Sequence, residues 1–153
     1  MSFITENELK SVAYQYQLDQ ITESDHSIVD MAINAAEEEL RSYLEANNQK
    51  RFQDGRPLLD LDAILSATGN NRNALLVTHC KTIALWYIIQ LANVDMVYEH
   101  VKERYDRAVA WLKDLGSGKV NINSLPVLDP TDPTSPNSQA PFSMGSRKKF
   151  NYE

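Results

Sequence analysis

Basic and aromatic side chains lie together near the C-terminal end of the chain, the one place in the sequence where cations alternate with aromatic rings. The cluster comprises Phe142, Arg147, Lys148, Lys149, Phe150 and Tyr152. This composition favours a docking peptide, in which aromatic anchors enter pockets of a partner and the cations pair with its acidic groups. Two alternatives stay open. One is a solvated terminus, and the other is contact with single-stranded nucleic acid, for which three cations supply only a small positive surface.

Histidine and cysteine residues could bind a metal or act as a nucleophile and its base. His79 and Cys80 are neighbours within a predicted helix, where adjacent side chains point in different directions. Free cysteine prefers protein cores, so this pair is interpreted as structural. His26 and His100 have no partner at the spacing of metal ligands. We therefore expect no metal site.

Acidic residues are the other candidates for catalysis. Residues 37–39 are consecutive glutamates, which spread around a helix and are interpreted as a solvated face. Asp60 and Asp62 lie in a loop that lacks the glycine and terminal glutamate of a calcium-binding loop. The sequence also has no glycine-rich phosphate loop and no serine-nucleophile motif. We expect no enzymatic activity and no cofactor, and only a site assembled in space from Asp60, His79 and His100 would change that expectation.

The charge divides the chain into two parts. Its 153 residues carry a net charge of −6, and residues 116–153 contain four basic and three acidic side chains. The preceding part therefore holds 11 basic and 18 acidic side chains, a balance that disfavours general binding to nucleic acid. Cys80 is the sole cysteine, which excludes an internal disulfide and suits a reducing cytoplasm. We expect no secretory leader and no membrane span, because the longest apolar stretch, residues 83–94, is interrupted by Gln90 and Asn93.

Apolar residues that recur every three to four positions predict an all-α fold, a small bundle of about four to five helices. Thr5 and Glu8 have the spacing of a capping box and predict a short first helix. Its apolar face comprises Leu9, Val12, Ala13 and Tyr16. Ser24 and Asp25 predict the start of a long second helix that ends near residue 48.

The second half of the predicted body contains its central helix. Asn73 is expected to cap a helix over residues 74–91 that is apolar on most sides, as the middle helix of a bundle is. A further helix ends near Leu115, where Gly116 and Gly118 are predicted to stop it and to act as a hinge. Between the long helices, the residues from 49 to 71 are predicted to form a loop with a short helix near residues 62–67.

Residues 116–153 differ in composition from the helical body, residues 1–115, and are predicted to form a long extended C-terminal arm. Val120 and Ile122 alternate with polar residues, which indicates one short strand or hairpin. The prolines that follow exclude a helix and favour polyproline-like geometry. They are Pro126, Pro130, Pro133, Pro136 and Pro141. The arm offers too little apolar surface for a core of its own, so we expect it to lie on a partner.

Three stretches of the sequence together carry a resemblance to a known family. The first is the short helix, the Ile21-Thr22 turn and the long helix with Ser42-Tyr43-Leu44 at its end. The second begins at Glu103-Arg104-Tyr105-Asp106-Arg107-Ala108 and runs through Leu112 to Gly118-Lys119-Val120-Asn121-Ile122. The third is Gly145-Ser146-Arg147 with Phe150. This pattern resembles the neck proteins of tailed bacteriophages, nearest to the Mu-type neck protein and the related head-completion, or head-tail connector, adaptors. Residues 48–71 depart from it, being longer and less proline-rich than the tight turn of that family.

The resemblance implies a structural protein of the virion neck, assembled in the host cytoplasm and located between capsid and tail. It implies a homo-oligomeric ring of about twelve subunits beneath the portal protein. The arm would dock on the portal, and the tail or a stopper or further neck protein would bind the other face. Genomic DNA would pass through the lumen without sequence-specific binding, because an acidic wall lets the duplex slide. No cofactor and no membrane are implied.

The residues expected to bind partners are the apolar anchors and cations of the arm. They are Val120, Ile122, Phe142, Arg147, Lys148, Lys149, Phe150 and Tyr152. Deleting residues 126–153 is expected to leave a folded helical monomer that no longer joins portals. The alternative function is a cytoplasmic regulatory binding module that uses its basic tail for nucleic acid or another protein.

Overall fold

The computed structural model describes residues 2–49, 56–92 and 98–128. The described part is all-α, as predicted, with six α-helices and one 3-10 turn. The helices are α1 (Glu6–Leu9), α2 (Gln15–Ile21), α3 (His26–Gln49), α4 (Leu61–Ser66), α5 (Ala74–Leu91) and α6 (Tyr98–Ser117), and the 3-10 turn is Gly69–Asn71. The predicted first helix is two helices, because the chain turns after Leu9 and begins a new helix at Gln15.

The core is the contact between the three long helices, α3, α5 and α6. The buried residues of α5 lie on several sides of the helix, which confirms its central position. They are Leu76, Cys80, Ile83, Ala84, Leu85, Trp86, Ile88 and Ile89. Leu40 and Leu44 of α3 and Leu112 of α6 are fully buried against the same core. Each such side chain stabilises the fold by about 1.5–3 kcal/mol, so this three-helix contact dominates the packing.

α5 also has the length and composition of a helix that could cross a membrane, and it is the one such helix within the described residues. Half of it is buried inside the protein. Its buried side chains contact the core cluster formed with α3 and α6. This is the arrangement expected for the central helix of a bundle.

Side chains cap the helices at the positions that the sequence predicted. Asn73 Oδ1 accepts hydrogen bonds from the N–H groups of Leu75 (3.0 Å) and Leu76 (3.1 Å) at the start of α5. Asp25 Oδ1 accepts from Ser27 N–H (2.9 Å) at the start of α3. At α1, the Glu8 carboxylate accepts from Thr5 N–H (2.9 Å). These bonds satisfy N–H groups that have no partner inside the helix, which is why the helices begin there.

The N-terminal segment is held against the long helices by buried apolar residues and by Arg72. Phe3, Ile4 and Leu9 are fully buried. The Arg72 guanidinium forms an ion pair with Glu8 and donates to Phe3 O. Tyr16, predicted to share an apolar face with Leu9, is instead exposed on α2. The prediction was wrong because the break after Leu9 interrupts the helical register that would have placed both residues on one face.

Candidate functional site

The candidate site begins where the chain leaves the helical body, at the end of α6. Gly118 follows this helix with φ +82°, a left-handed conformation that favours glycine. Its N–H donates to Leu115 O (3.1 Å), and the N–H of Lys119 donates to Asp114 O (2.9 Å). This pair of bonds is a Schellman motif, which confirms that Gly118 ends the helix. Gly116 does not stop it, since it lies inside the last turn of α6.

Residues 126–128 then pair with residues 58–60 in the loop between α3 and α4. Leu59 and Val127 form an isolated antiparallel bridge. Asp60 N–H donates to Pro126 O (3.0 Å), and Leu128 N–H donates to Leu58 O (2.8 Å). The described part of the predicted arm forms this isolated bridge with the loop, and it contains no strand or hairpin. The bridge fixes the position of the chain up to Leu128.

Three polar side chains hold the loop that receives residues 126–128. Asn48 Oδ1 accepts from Leu59 N–H (2.8 Å), and its Nδ2 donates to Leu59 O (3.0 Å). Asn47 Nδ2 donates to Pro57 O (3.1 Å). Arg56 Nη1 donates to Asn47 Oδ1 (3.0 Å) and to Gly116 O (3.1 Å), which joins the loop to the end of α6. We call residues 56–60 and 118–128, with Asn47 and Asn48, the arm base.

Gly116 allows the close approach of helices that the arm base requires. A Cβ at this position would lie 2.8 Å from Tyr43 O and 3.2 Å from Ala46 Cβ of α3. Such distances are below van der Waals contact, so a side chain there would force α6 away from α3. At the same position, the backbone O of Gly116 accepts the hydrogen bond from the Arg56 guanidinium.

Two of the predicted partner-binding residues lie in the described part of the arm. Val120 and Ile122 are half-buried, and Ile122 packs against the chain's own core. Leu125, next in the same stretch, is fully part of that core. The other six lie outside the described residues: Phe142, Arg147, Lys148, Lys149, Phe150 and Tyr152. All eight partner contacts stay predictions. The hinge role of Gly116 and Gly118 also stays a prediction.

A second surface feature lies at the other end of α6. A groove of about 500 Å³ opens between the turn after α1, the last turns of α5 and the first turns of α6. Its apolar wall includes Ile21, Leu85 and Ile89. Tyr14 lines it and is 69% exposed, and Tyr16, 65% exposed, stacks on Tyr14 with ring centroids 5.7 Å apart. We call this feature the α6 groove.

The cations of the α6 groove are not neutralised by the described part of the chain. Lys10 and Arg104 line the groove, are exposed, and form no ion pair with any described residue. By contrast, Arg72, Arg41 and Arg107 each pair with a carboxylate. This groove was not predicted from the sequence, because helical spacing placed Tyr16 on the apolar face of the first helix.

The acidic run at residues 37–39 is not the solvated face that was predicted. Only Glu38 is exposed. The Glu37 carboxylate accepts from the N–H of Ile4 (3.3 Å), and the Glu39 carboxylate accepts from the hydroxyls of Tyr87 and Tyr105 (each 2.9 Å). Tyr43 adds a longer bond to Glu39 (3.3 Å). A signal was present in the sequence, since Glu39 falls at helical spacing from buried Ala32 and Ala36.

Burial and the neighbouring Glu39 carboxylate raise the pKa of three tyrosines. Desolvation is the larger cause and Glu39 the next, since both disfavour the charged phenolate. The pKa of Tyr87 rises to about 12, and those of Tyr43 and Tyr105 rise above their usual range. These tyrosines therefore stay protonated and donate to Glu39. The cluster joins α3, α5 and α6 with polar bonds inside the bundle.

The histidine and cysteine candidates take separate structural positions. His79 stacks on Trp111 with ring centroids 4.6 Å apart, and burial lowers its pKa. Cys80 is fully buried, and burial raises the pKa of its thiol. Asp60 caps α4 by accepting from Ala63 N–H (3.0 Å), whereas His100 lines the α6 groove. Within the described residues, no group of three or more His, Cys, Asp or Glu side chains could hold a metal ion.

Comparison with known proteins identifies the family. The family model described as Bacteriophage Mu, Gp36 matches residues 3–142 of the chain. No curated protein and no solved structure matches the chain. The match spans all of the described helices, the arm base and the proline-rich stretch, and it confirms the resemblance found in the sequence. The chain therefore belongs to the bacteriophage Mu, Gp36 family and is a phage structural protein.

Proposed function

We propose that the protein is a head-tail connector adaptor that forms a ring between the portal and the tail, or the next neck protein. In this proposal the arm docks on the portal and genomic DNA passes through the lumen. Membership of a phage structural family supports a role in the particle. The observation that carries the connector role is the arm base, because it gives a proline-rich, basic-ended segment a fixed point of departure from a rigid body.

A fixed departure point favours binding by the arm. Residues 126–128 are already held by the two backbone hydrogen bonds of the Leu59–Val127 bridge, so their ordering cost is met by folding of the body. Contact with a portal would therefore not have to order residues 126–128 as well. In a ring, each bound arm also raises the effective concentration of the next, so individually weak arms would hold strongly together.

The charge of the body is compatible with a DNA channel. The exposed face of α3 carries Asp30, Glu38 and Glu45, which lie along one side of that helix. Like charges repel the phosphate backbone, and a duplex beside such a wall gains no counterion-release energy from it. A surface of this kind would let DNA pass without binding it.

Truncation tests the proposal, and the structure refines where to cut. Deleting residues 126–153, as the sequence suggested, would remove the partners of Leu58 and Asp60, so the chain should instead end after Leu128. We expect the shortened chain to keep its helical circular dichroism and thermal transition. It should no longer cosediment with purified portal rings.

A matched variant separates the arm as a whole from its charges. The full chain with Arg147→Ala, Lys148→Ala and Lys149→Ala keeps the arm but removes its basic cluster, and it should bind portal rings more weakly and with less dependence on salt. Association of the folded, shortened chain with portal rings at wild-type affinity would refute arm docking. Salt-sensitive binding of the isolated full chain to DNA would instead favour the regulatory alternative.

A further inference from the structure

The α6 groove has the features of a site for an extended, proline-rich and acidic peptide. The exposed ring of Tyr14 lines it, the exposed ring of Tyr16 stacks on Tyr14, and its wall includes apolar side chains. Lys10 and Arg104 add two cations that have no acidic partner among the described residues. Exposed aromatic surfaces bind polyproline II segments, because such segments are already extended and lose little entropy on binding.

The chain itself contains a segment of that chemistry directly after the arm base. Residues 129–142 have the sequence DPTDPTSPNSQAPF. Pro130, Pro133 and Pro136 recur every third residue, and polyproline II has three residues per turn, so this geometry would align them on one edge. Asp129 and Asp132 share the same spacing and would align on the adjacent edge. The segment contains no basic residue.

We propose that the α6 groove of one subunit binds residues 129–142 of a second copy of the chain. The proline edge would pack on Tyr14 and Tyr16, and the aspartates would pair with Lys10 and Arg104. The inference deepens the proposed function, since it supplies a contact between neighbours in the ring and leaves the residues from Arg147 onward for the portal.

The length of the chain favours a second copy over the subunit's own groove. The arm base contacts Gly116 at one end of α6, whereas the groove contacts Arg104 near the other end. Twelve residues of helix separate them, which is about 18 Å along the axis. From Leu128 the chain spans at most about 7 Å to Pro130 and about 14 Å to Asp132, both short of that separation, so the start of the segment favours the groove of a second copy.

The opposed positions of donor and acceptor have a consequence for assembly. A segment that leaves one end of a subunit and binds a groove at the other end of the next makes a head-to-tail contact. Such heterologous contacts produce a closed ring when the rotation between subunits closes. The groove contact is therefore of the type that a connector ring requires.

Peptide binding tests the site directly. A labelled synthetic peptide of residues 129–142 is titrated with the full-length chain carrying Asp129→Lys and Asp132→Lys, whose own segment should not compete. We expect saturable fluorescence anisotropy. Adding Lys10→Glu and Arg104→Glu should weaken binding about tenfold, since two attractive pairs become repulsive. Lys113→Glu, exposed on α6 outside the groove, is the matched control and should change little. The proposal would be overturned if the peptide did not bind saturably. It would also be overturned if Lys113→Glu weakened peptide binding as much as Lys10→Glu with Arg104→Glu does.

Cysteine cross-linking tests whether the contact is between copies. Full-length Ser11→Cys places a thiol at the groove, and full-length Thr131→Cys places one in the segment. Mixing the two should give a mixed disulfide dimer, and Ser42→Cys, exposed on α3, should not replace Ser11→Cys. A chain with both groove and segment cysteines should form covalent multimers. If it instead closes a disulfide within one chain, the second-copy assignment is wrong.

The same variants separate this inference from the connector proposal. Peptide binding at the groove without association of the full chain with portal rings would leave the inference standing and refute the connector role. Association with portal rings at wild-type affinity, without peptide binding at the groove, would leave the connector role standing and refute the inference.

Discussion

The two ends of the helical bundle use their polar groups in opposite ways. At the arm base, the amides of Asn47 and Asn48 and the Arg56 guanidinium bond to backbone groups of the loop and of α6. At the α6 groove, Lys10 and Arg104 have no carboxylate partner within the described residues, and Tyr14 is exposed. The arm base is thus stabilised within the subunit, whereas the groove leaves two cations and an aromatic ring exposed. One end serves folding, and the other is the site proposed for binding.

The largest expected effect concerns the close packing at the arm base. Gly116→Val would place a Cβ 2.8 Å from Tyr43 O, and the backbone of α3 cannot rotate away as a side chain could. We expect a loss of about 3 kcal/mol in the free energy of unfolding, measured by chemical denaturation. Ala110→Val, at an exposed position of the same helix, should cost only about 0.5 kcal/mol through helix propensity. Equal costs would mean that α3 and α6 are not in close contact there.

The next effect concerns the amide that holds the receiving loop. Asn48→Ala removes two hydrogen bonds to Leu59 and leaves its backbone groups without them, so we expect a loss of about 2 kcal/mol in unfolding free energy. Hydrogen exchange at the amides of Leu59 and Leu128 should accelerate together, because the loop supports the bridge. Asn34→Ala, an exposed substitution on α3, is the control and should leave both amides protected. Unchanged exchange in Asn48→Ala would show that the bridge does not depend on this side chain.

A smaller, pH-dependent effect is expected at Glu8 of α1, which pairs with Arg72. The hydrogen bond from Arg72 lowers the pKa of Glu8 from 4.5 to about 2 in the folded protein. A lowered folded pKa stabilises the protein above pH 4.5, and this contribution is lost as the pH falls towards 2. With allowance for partial exposure, Glu8→Gln should cost about 1–2 kcal/mol at pH 7 and much less near pH 2.

The control for Glu8 is the exposed pair of Glu103 and Arg107 on α6. Glu103→Gln should cost less than about 0.5 kcal/mol at pH 7, as is usual for a surface pair four residues apart on a helix. Unfolding curves of both variants and wild type between pH 2 and 7 make the comparison. A Glu8→Gln cost that stays constant across this range would contradict the assignment of the pKa shift to Arg72.

The smallest stability effect is expected at the groove. Tyr14→Ala removes an exposed ring, so its unfolding free energy should differ from wild type by less than about 0.5 kcal/mol. The same variant should weaken binding of the residue 129–142 peptide, because the ring is proposed to contact the prolines. A loss of about 2 kcal/mol in stability would remove the contrast between the two ends, since Tyr14 would then serve folding.

Local patterns in the sequence were sufficient for the helices. Thr5 with Glu8, Asn73 and Gly118 each act through bonds to residues a few positions away, and all three mark helix ends as predicted. The apolar character of α5 on several sides likewise indicated its central place. Such signals survive folding because they depend on contacts within one helix or its cap.

The errors arose where side chains from distant parts of the chain meet. Glu39 was expected in solvent, but tyrosines from α5 and α6 surround its carboxylate. Tyr16 was expected on the apolar face of the first helix, but the break after α1 turns it outward. Helical spacing cannot distinguish a solvated glutamate from one that receives hydroxyl bonds, since the donors lie 48 and 66 residues away.

The sequence by itself determined an acidic, all-α body followed by a proline-rich, basic-ended segment, because composition, periodicity and capping act over short distances. The sequence was also sufficient to identify the phage family, whose model matches residues 3–142. Only the tertiary structure decided that residues 118–128 belong to the arm base. It also decided that the α6 groove, at the other end of α6, has an exposed tyrosine and two cations with no carboxylate partner in the described part of the chain. Both features depend on which helix ends come together, and that is settled by packing of α3, α5 and α6 around one core.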